Sequence, residues 1–179
     1  MGEYWCCRKR PVRLFGGGTD WMTPRRGRCR QCDRSHVFLP VRAFPRRADS
    51  VETVWVALAA AAGGLGHRRV AEQVGLPATT VRGWLRRARA NSEIITSRAT
   101  IFRSDLDHAT PEQHPRFDTP LANMVHMVGA AAGAWLRRFG IAPPAPGLTG
   151  TPQQIASIIA SGWLLAATVT ASARFWRPG

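Results

Sequence analysis

Between Gly66 and Asn91 two short helical patterns are separated by only Gly75, Leu76 and Pro77, and this spacing constrains the chain more than any other feature in it. A connection that short forces two helices to cross steeply. The crossing needs a small side chain where the backbones approach and a turn residue tolerant of positive φ. Ala71 and Gly75 stand at those places. Val70, Ala71, Val74, Leu76, Val81 and Trp84 recur at spacings that point inward from both helices. The opposite face of the second helix then carries Ala78, Thr79, Arg82, Gly83 and Arg86, with Arg87 and Arg89 further along. A bundle with a merely solvated basic face accounts for each feature singly but gives no reason for their coincidence. A preceding helix, with Val51, Val54, Trp55, Leu58 and Ala62 on one face, opens on Asp49 and Glu52 as a capping box and ends at Gly63, Gly64 and Gly66. The expectation is a three-helix helix-turn-helix core over 49–91.

A recognition helix enters the major groove with its N-terminal half leading, so Thr79 and Arg82 are suited to base edges and Arg86 to bases or phosphate. His67, Arg68 and Arg69 open the supporting helix, where backbone amides and cations hold a phosphate without reading sequence. Composition agrees: the formal net charge is +14, and all but one of the 25 basic residues are arginine. Arginine presents a planar fork that suits phosphate and guanine edges. Residues 1–50 hold 12 basic and 4 acidic groups, while 93–179 hold 7 and 5, so the first half faces a polyanion. Arg46 and Arg47, in a connector marked by Pro40 and Pro45, belong to that backbone-attracting surface.

All four cysteines lie in the first 32 residues. Cys29 and Cys32 form a C-x-x-C knuckle able to supply half of a tetrahedral zinc site. Cys6 and Cys7 are adjacent, and neighbouring side chains on an extended chain point opposite ways, so one of them, with His36 as an alternative ligand, would complete it. Val12, Leu14 and Phe15 before Gly16, Gly17 and Gly18, with Trp21 and Met22 after, predict a hairpin, and His36 to Leu39 a further short strand. Segment 1–45 is therefore read as a cysteine-containing basic β-ribbon.

The remainder, 92–179, is read as helical. Ile94, Ile95, Ala99, Ile101, Phe102 and Leu106 keep helical spacing from Ser92 to about His108. Thr119 and Pro120 open a helix with the stripe Leu121, Met124, Val125, Val128, Trp135, Leu136 and Phe139, closed by Gly140. Thr151, Pro152 and Gln154 start a last helix with Ile155, Ile158, Ile159 and Trp163. The fold class expected is mostly α with a small N-terminal β segment.

The stretches R-C-R-Q-C-D-R-S-H-V-F-L-P from Arg28, G-H-R-R-V-A-E-Q-V-G-L-P from Gly66 and T-V-R-G-W-L-R-R from Thr80 resemble actinobacterial helix-turn-helix proteins found near mobile elements, which join a zinc-ribbon-like segment to a homeodomain-like core. The resemblance covers most of the chain and implies a regulator-like or transposase-related DNA-binding module. Paired cysteines two apart would be expected in place of Cys6 and Cys7.

A complete transposase would need clustered carboxylates to hold two divalent metals. Glu93, Asp105, Asp107, Glu112 and Asp118 follow the core without a β-rich segment to spread them, so a binder and not an enzyme is expected. The chain's start, polar and basic from Met1 to Arg13, lacks an apolar run for secretion, and the uncharged stretch from Ile155 to Ala173 is diluted by serine and threonine. The expected setting is cytoplasmic and nucleoid-associated, with double-stranded DNA as partner, and the stripe from Leu121 to Phe139 either packs on its own domain or forms a homodimer interface. A helical protein-interaction or membrane-associated protein, or an inactive transposase remnant, is the alternative.

Overall fold

A computed structural model describes residues 4–107, 115, 117–140, 152–160 and 163–165. Among these residues five short strands precede six helices: β1 (Tyr4–Cys6), β2 (Arg10–Arg13), β3 (Thr19–Met22), β4 (Arg25–Arg28), β5 (Ser35–Phe38), α1 (Val51–Ala62), α2 (His67–Val74), α3 (Ala78–Ala90), α4 (Ser92–Leu106), α5 (Pro120–Phe139) and α6 (Pro152–Ile159). A 3-10 turn, Trp163–Leu165, follows. The chain is thus mostly helical with a small antiparallel β region at its N-terminal end.

The hairpin expected around the glycines is β2 paired with β3, Arg10 opposite Met22 and Arg13 opposite Thr19. Gly16, Gly17 and Gly18 all take positive φ in its turn, a conformation that side chains resist. The last expected strand is β5. It lies at the edge of a second sheet ordered β1-β4-β5. Cys6 pairs with Arg25 while Arg10 pairs with Met22, so three residues oppose two between the sheets. This one-residue slip separates the two pairings, as a bulge does.

Val12 and Met22 are buried against Ala43 in a small core of their own. The hairpin is tied to the helices through the connector. The Arg10 guanidinium donates to the carbonyls of Phe44 and Arg47, and Arg13 Nε donates to Asp49 Oδ1 at 2.8 Å. Asp49 is therefore not the expected cap. Its carboxylate is buried and takes a charge-assisted bond from a residue 36 positions away, and Ser50 caps α1 by accepting from the Thr53 amide at 3.3 Å. Glu52 instead accepts from Gln154 Nε2 at 2.9 Å.

Helix α2 ends as the turn chemistry requires. Gly75 takes φ 66° and ψ 36°, its amide donates to the Glu72 carbonyl, and the Leu76 amide donates back to Ala71. These two bonds satisfy carbonyls that the helix end would otherwise leave open. Helix α3 begins after Pro77, and α4 follows it with Asn91 alone between them.

One apolar core runs from Phe44 to Leu165 and takes in residues from all six helices. Trp84, Leu58, Leu85, Ile95, Met124 and Leu164 are its largest fully buried side chains. The region beyond Asn91 packs into the same core as α1 to α3. Thr119 caps α5 as expected, and Leu121, Met124 and Val128 are buried. Val125, Trp135 and Leu136 are half-buried at the core's margin, with Trp135 stacked on Phe102 at 5.7 Å between centroids. Trp55 on α1 donates its Nε1 to Ser157 Oγ on α6 at 2.7 Å inside the core. Among the described residues no helix is long and apolar enough to cross a membrane. The end of the uncharged stretch, from residue 166, lies outside the described residues, as do His108, Glu112 and Thr151.

Candidate nucleic-acid interface and metal cluster

Helix α3 has two unlike faces. Val81, Trp84, Leu85 and Ala88 are buried, whereas Thr79, Arg82, Arg86 and Arg89 are exposed. Spacings of three and four residues put the exposed set on one side of the helix. Ala78 and Gly83 are half-buried beside it. Gly83 accepts a bond from Arg87 Nη1 at 3.0 Å, which folds the Arg87 guanidinium back along the helix. A Cβ on Gly83 would stand 3.2 Å from that nitrogen, so a larger residue would displace it.

The two connector cations do not behave alike. Arg46 is exposed, with its backbone in the left-handed region at φ 58°. Arg47 is half-buried, and its guanidinium is held below the usual arginine range by burial and then by the positive charge of Arg87. The fold thus brings two arginines, 40 positions apart, within electrostatic reach, and Asp49 offsets part of their repulsion. Arg68 and Arg69 are exposed in the first turn of α2, whose N-cap is Gly66 and carries no side-chain cap. The connector residue Arg47 and Arg87 of α3 are thus near neighbours in electrostatic terms, beside the exposed residues of α3.

The sulfur atoms of Cys29 and Cys32 and a ring nitrogen of His36 all lie within 4.8 Å of one another, which is a cluster able to hold a metal ion. Cys32 Sγ is 3.5 Å from His36 Nε2. The β4–β5 hairpin makes the knuckle: Arg28 opposes Ser35, the Cys29 amide donates to the Arg34 carbonyl at 2.9 Å, and Asp33 takes φ 54°. Arg28 grips the Asp33 carboxylate with two bonds of 2.7 and 2.6 Å. Backbone amides of Cys32 and then Gln31 point at the Cys29 sulfur and, with the Cys32 thiol, lower its pKa below the ordinary thiol range. A thiolate is the form that a metal binds. Two thiolates and an imidazole suit zinc and leave one tetrahedral position to another donor.

Cys6 and Cys7 do not join this group. Cys6 stands opposite Arg25, four residues along β4 from Cys29. At about 3.4 Å per residue that is roughly 14 Å. Cys7 lies beyond it, its amide on Pro24. Hairpin register, invisible in cysteine spacing, makes His36 the third member of the cluster.

Comparison with family models, curated proteins and solved structures gives no match. The arrangement must therefore be read from its own chemistry. Besides the knuckle, no other group of three metal-ligating side chains occurs among the described residues, and Asp107 is engaged by Arg137 at 3.4 Å. Sequence reasoning missed one further feature. Arg26 lies over the exposed ring of Trp5 at 5.8 Å, and Lys9 over that of Trp21 at 5.6 Å. Cross-strand pairing creates the first of these, so the linear sequence gave no sign of it.

Proposed function

We propose that α1, α2 and α3 form a helix-turn-helix that binds double-stranded DNA, with α3 as the helix that enters the major groove. The observation that carries this reading is the division of α3 into a buried face containing Trp84 and an exposed face of Thr79, Arg82 and Arg86. An arginine fork at Arg82 or Arg86 matches the two acceptors of guanine, and Thr79 at the leading end suits a base edge. Arg68 and Arg69 at the start of α2, with Arg46, Arg47 and Arg87, contact phosphates and set the register without reading sequence. Ala78 and Gly83 keep the α3 surface low enough for close approach. The role is that of a regulator-like or transposase-related DNA-binding module without chemistry of its own, acting at the nucleoid.

In the same reading zinc is bound by Cys29, Cys32 and His36 and adds to the stability of the β4–β5 hairpin, whose strand β5 is exposed along its length.

Selection from a random duplex library at low and at moderate salt tests the main reading. A recovered motif supports base reading by α3. Failure to retain any duplex at low salt overturns it, and retention without a motif, lost steeply with salt, reduces it to electrostatic attraction.

A further inference from the structure

The β1-β4-β5 sheet leaves the face that carries Trp5, Arg26 and Val37 open to solvent, while Gly27 on the other face is buried. Every residue of β5 is exposed, Arg25, Arg26 and Arg28 of β4 are exposed, and Trp5 of β1 is 41% exposed. Register sets Trp5 beside Arg26 and Arg26 beside Val37, so these three stand in one row across one face. In that row a guanidinium lies over an indole ring. A sheet normally hides one face on a core. This one instead displays an aromatic ring among cations.

We propose that this face binds single-stranded nucleic acid, with an unpaired base stacked on Trp5 and a flanking phosphate held by Arg26. The proposal goes beyond duplex binding by α3 and does not rest on it. Charge identifies the occupant. Residues 4–38 carry nine basic side chains and two acidic ones. Both acids are engaged, Asp20 with Arg42 at 2.9 Å and Asp33 with Arg28 at 2.6 Å, so the net field of the segment attracts a polyanion. A protein partner with an apolar surface would have to desolvate Arg26 in the centre of the row. A nucleic acid meets that charge with phosphate and the ring with a base. The bases of an intact duplex are already stacked on each other, whereas every unpaired base offers a free π-face. DNA and RNA single strands share this chemistry.

The experiment uses the full chain with zinc added, and fluorescence anisotropy of labelled oligothymidine, oligouridine and a duplex. Binding of either single strand by the parent is expected. Trp5→Leu, which keeps apolar bulk but loses the ring, should weaken it about tenfold or more, Trp5→Phe should retain most of it, and duplex affinity should not change. Arg82→Ala should show the reverse pattern, so the two readings fail separately. The proposal is overturned if the parent binds neither single strand at low salt, or if Trp5→Leu binds as tightly as the parent. It is equally overturned if Trp5→Leu and Trp5→Phe lose binding together, since that outcome traces the loss to structure and not to stacking.

Discussion

Arg82 and Trp84 are two positions apart on α3 and face opposite ways, and their substitution should separate recognition from stability. Arg82 is exposed and makes the surface that we assign to base edges, so Arg82→Ala should cost about 1–3 kcal/mol at a selected site and relax preference at one position. Competition with single-base variants of that site measures this, and an equal loss on all sequences would remove Arg82 from a reading role. Trp84 is 2% exposed at the centre of the core, so Trp84→Ala should destabilise the fold by roughly 3–5 kcal/mol. Urea unfolding followed by circular dichroism checks it. Both assignments were legible in the sequence, because helical period alone decides which way each side chain points. The role of Asp49 was not. Its position before α1 suggests a cap, but a buried carboxylate is drawn to the strongest donor within reach, and Arg13 arrives from a hairpin that local sequence does not place.

At the level of elements, turn chemistry and strand register divide what the sequence discloses from what it withholds. Gly75 ends α2 in the left-handed region, so Gly75→Ala should cost about 1–2 kcal/mol through backbone strain alone, since nothing lies within 4 Å of the added methyl. A lowered melting temperature with unchanged helix content is the expected result. Glycines, prolines and a threonine cap made the limits of α2, α3 and α5 readable to within a residue or so. Strands β1 and β4 were not readable. Tyr4–Cys6 is too short to show a period, and Arg25–Arg28 reads as a run of charge that becomes a strand only through its neighbours on both sides. That pairing decides the metal cluster. His36→Ala should reduce zinc affinity by an order of magnitude or more, while Cys6→Ser and Cys7→Ser leave it unchanged, with cobalt absorption as the readout. A loss of the thiolate-to-metal band in Cys6→Ser would show that the register differs from the one described.

Across the whole molecule, the duplex binding proposed above makes the cations on α2 and the connector a surface and not readers. Arg46→Ala and Arg68→Ala should weaken binding to all duplexes alike, and each should lower the salt slope by about one if it neutralises one phosphate. Titration at several ionic strengths measures the slope. The sequence by itself determined the helical segments, the inward and outward faces of α3 and the basic bias of the first half, because these depend on period, composition and turn residues that act within a few positions. Tertiary structure alone decided that α1 to α6 share one core, that Trp55 bonds Ser157, that Arg47 comes within electrostatic reach of Arg87, and that Cys6 and Cys7 stand apart from the knuckle. Each of these joins residues through packing or strand register, and the energy that selects such a partner comes from burial and pairing, which exist only once the chain has folded.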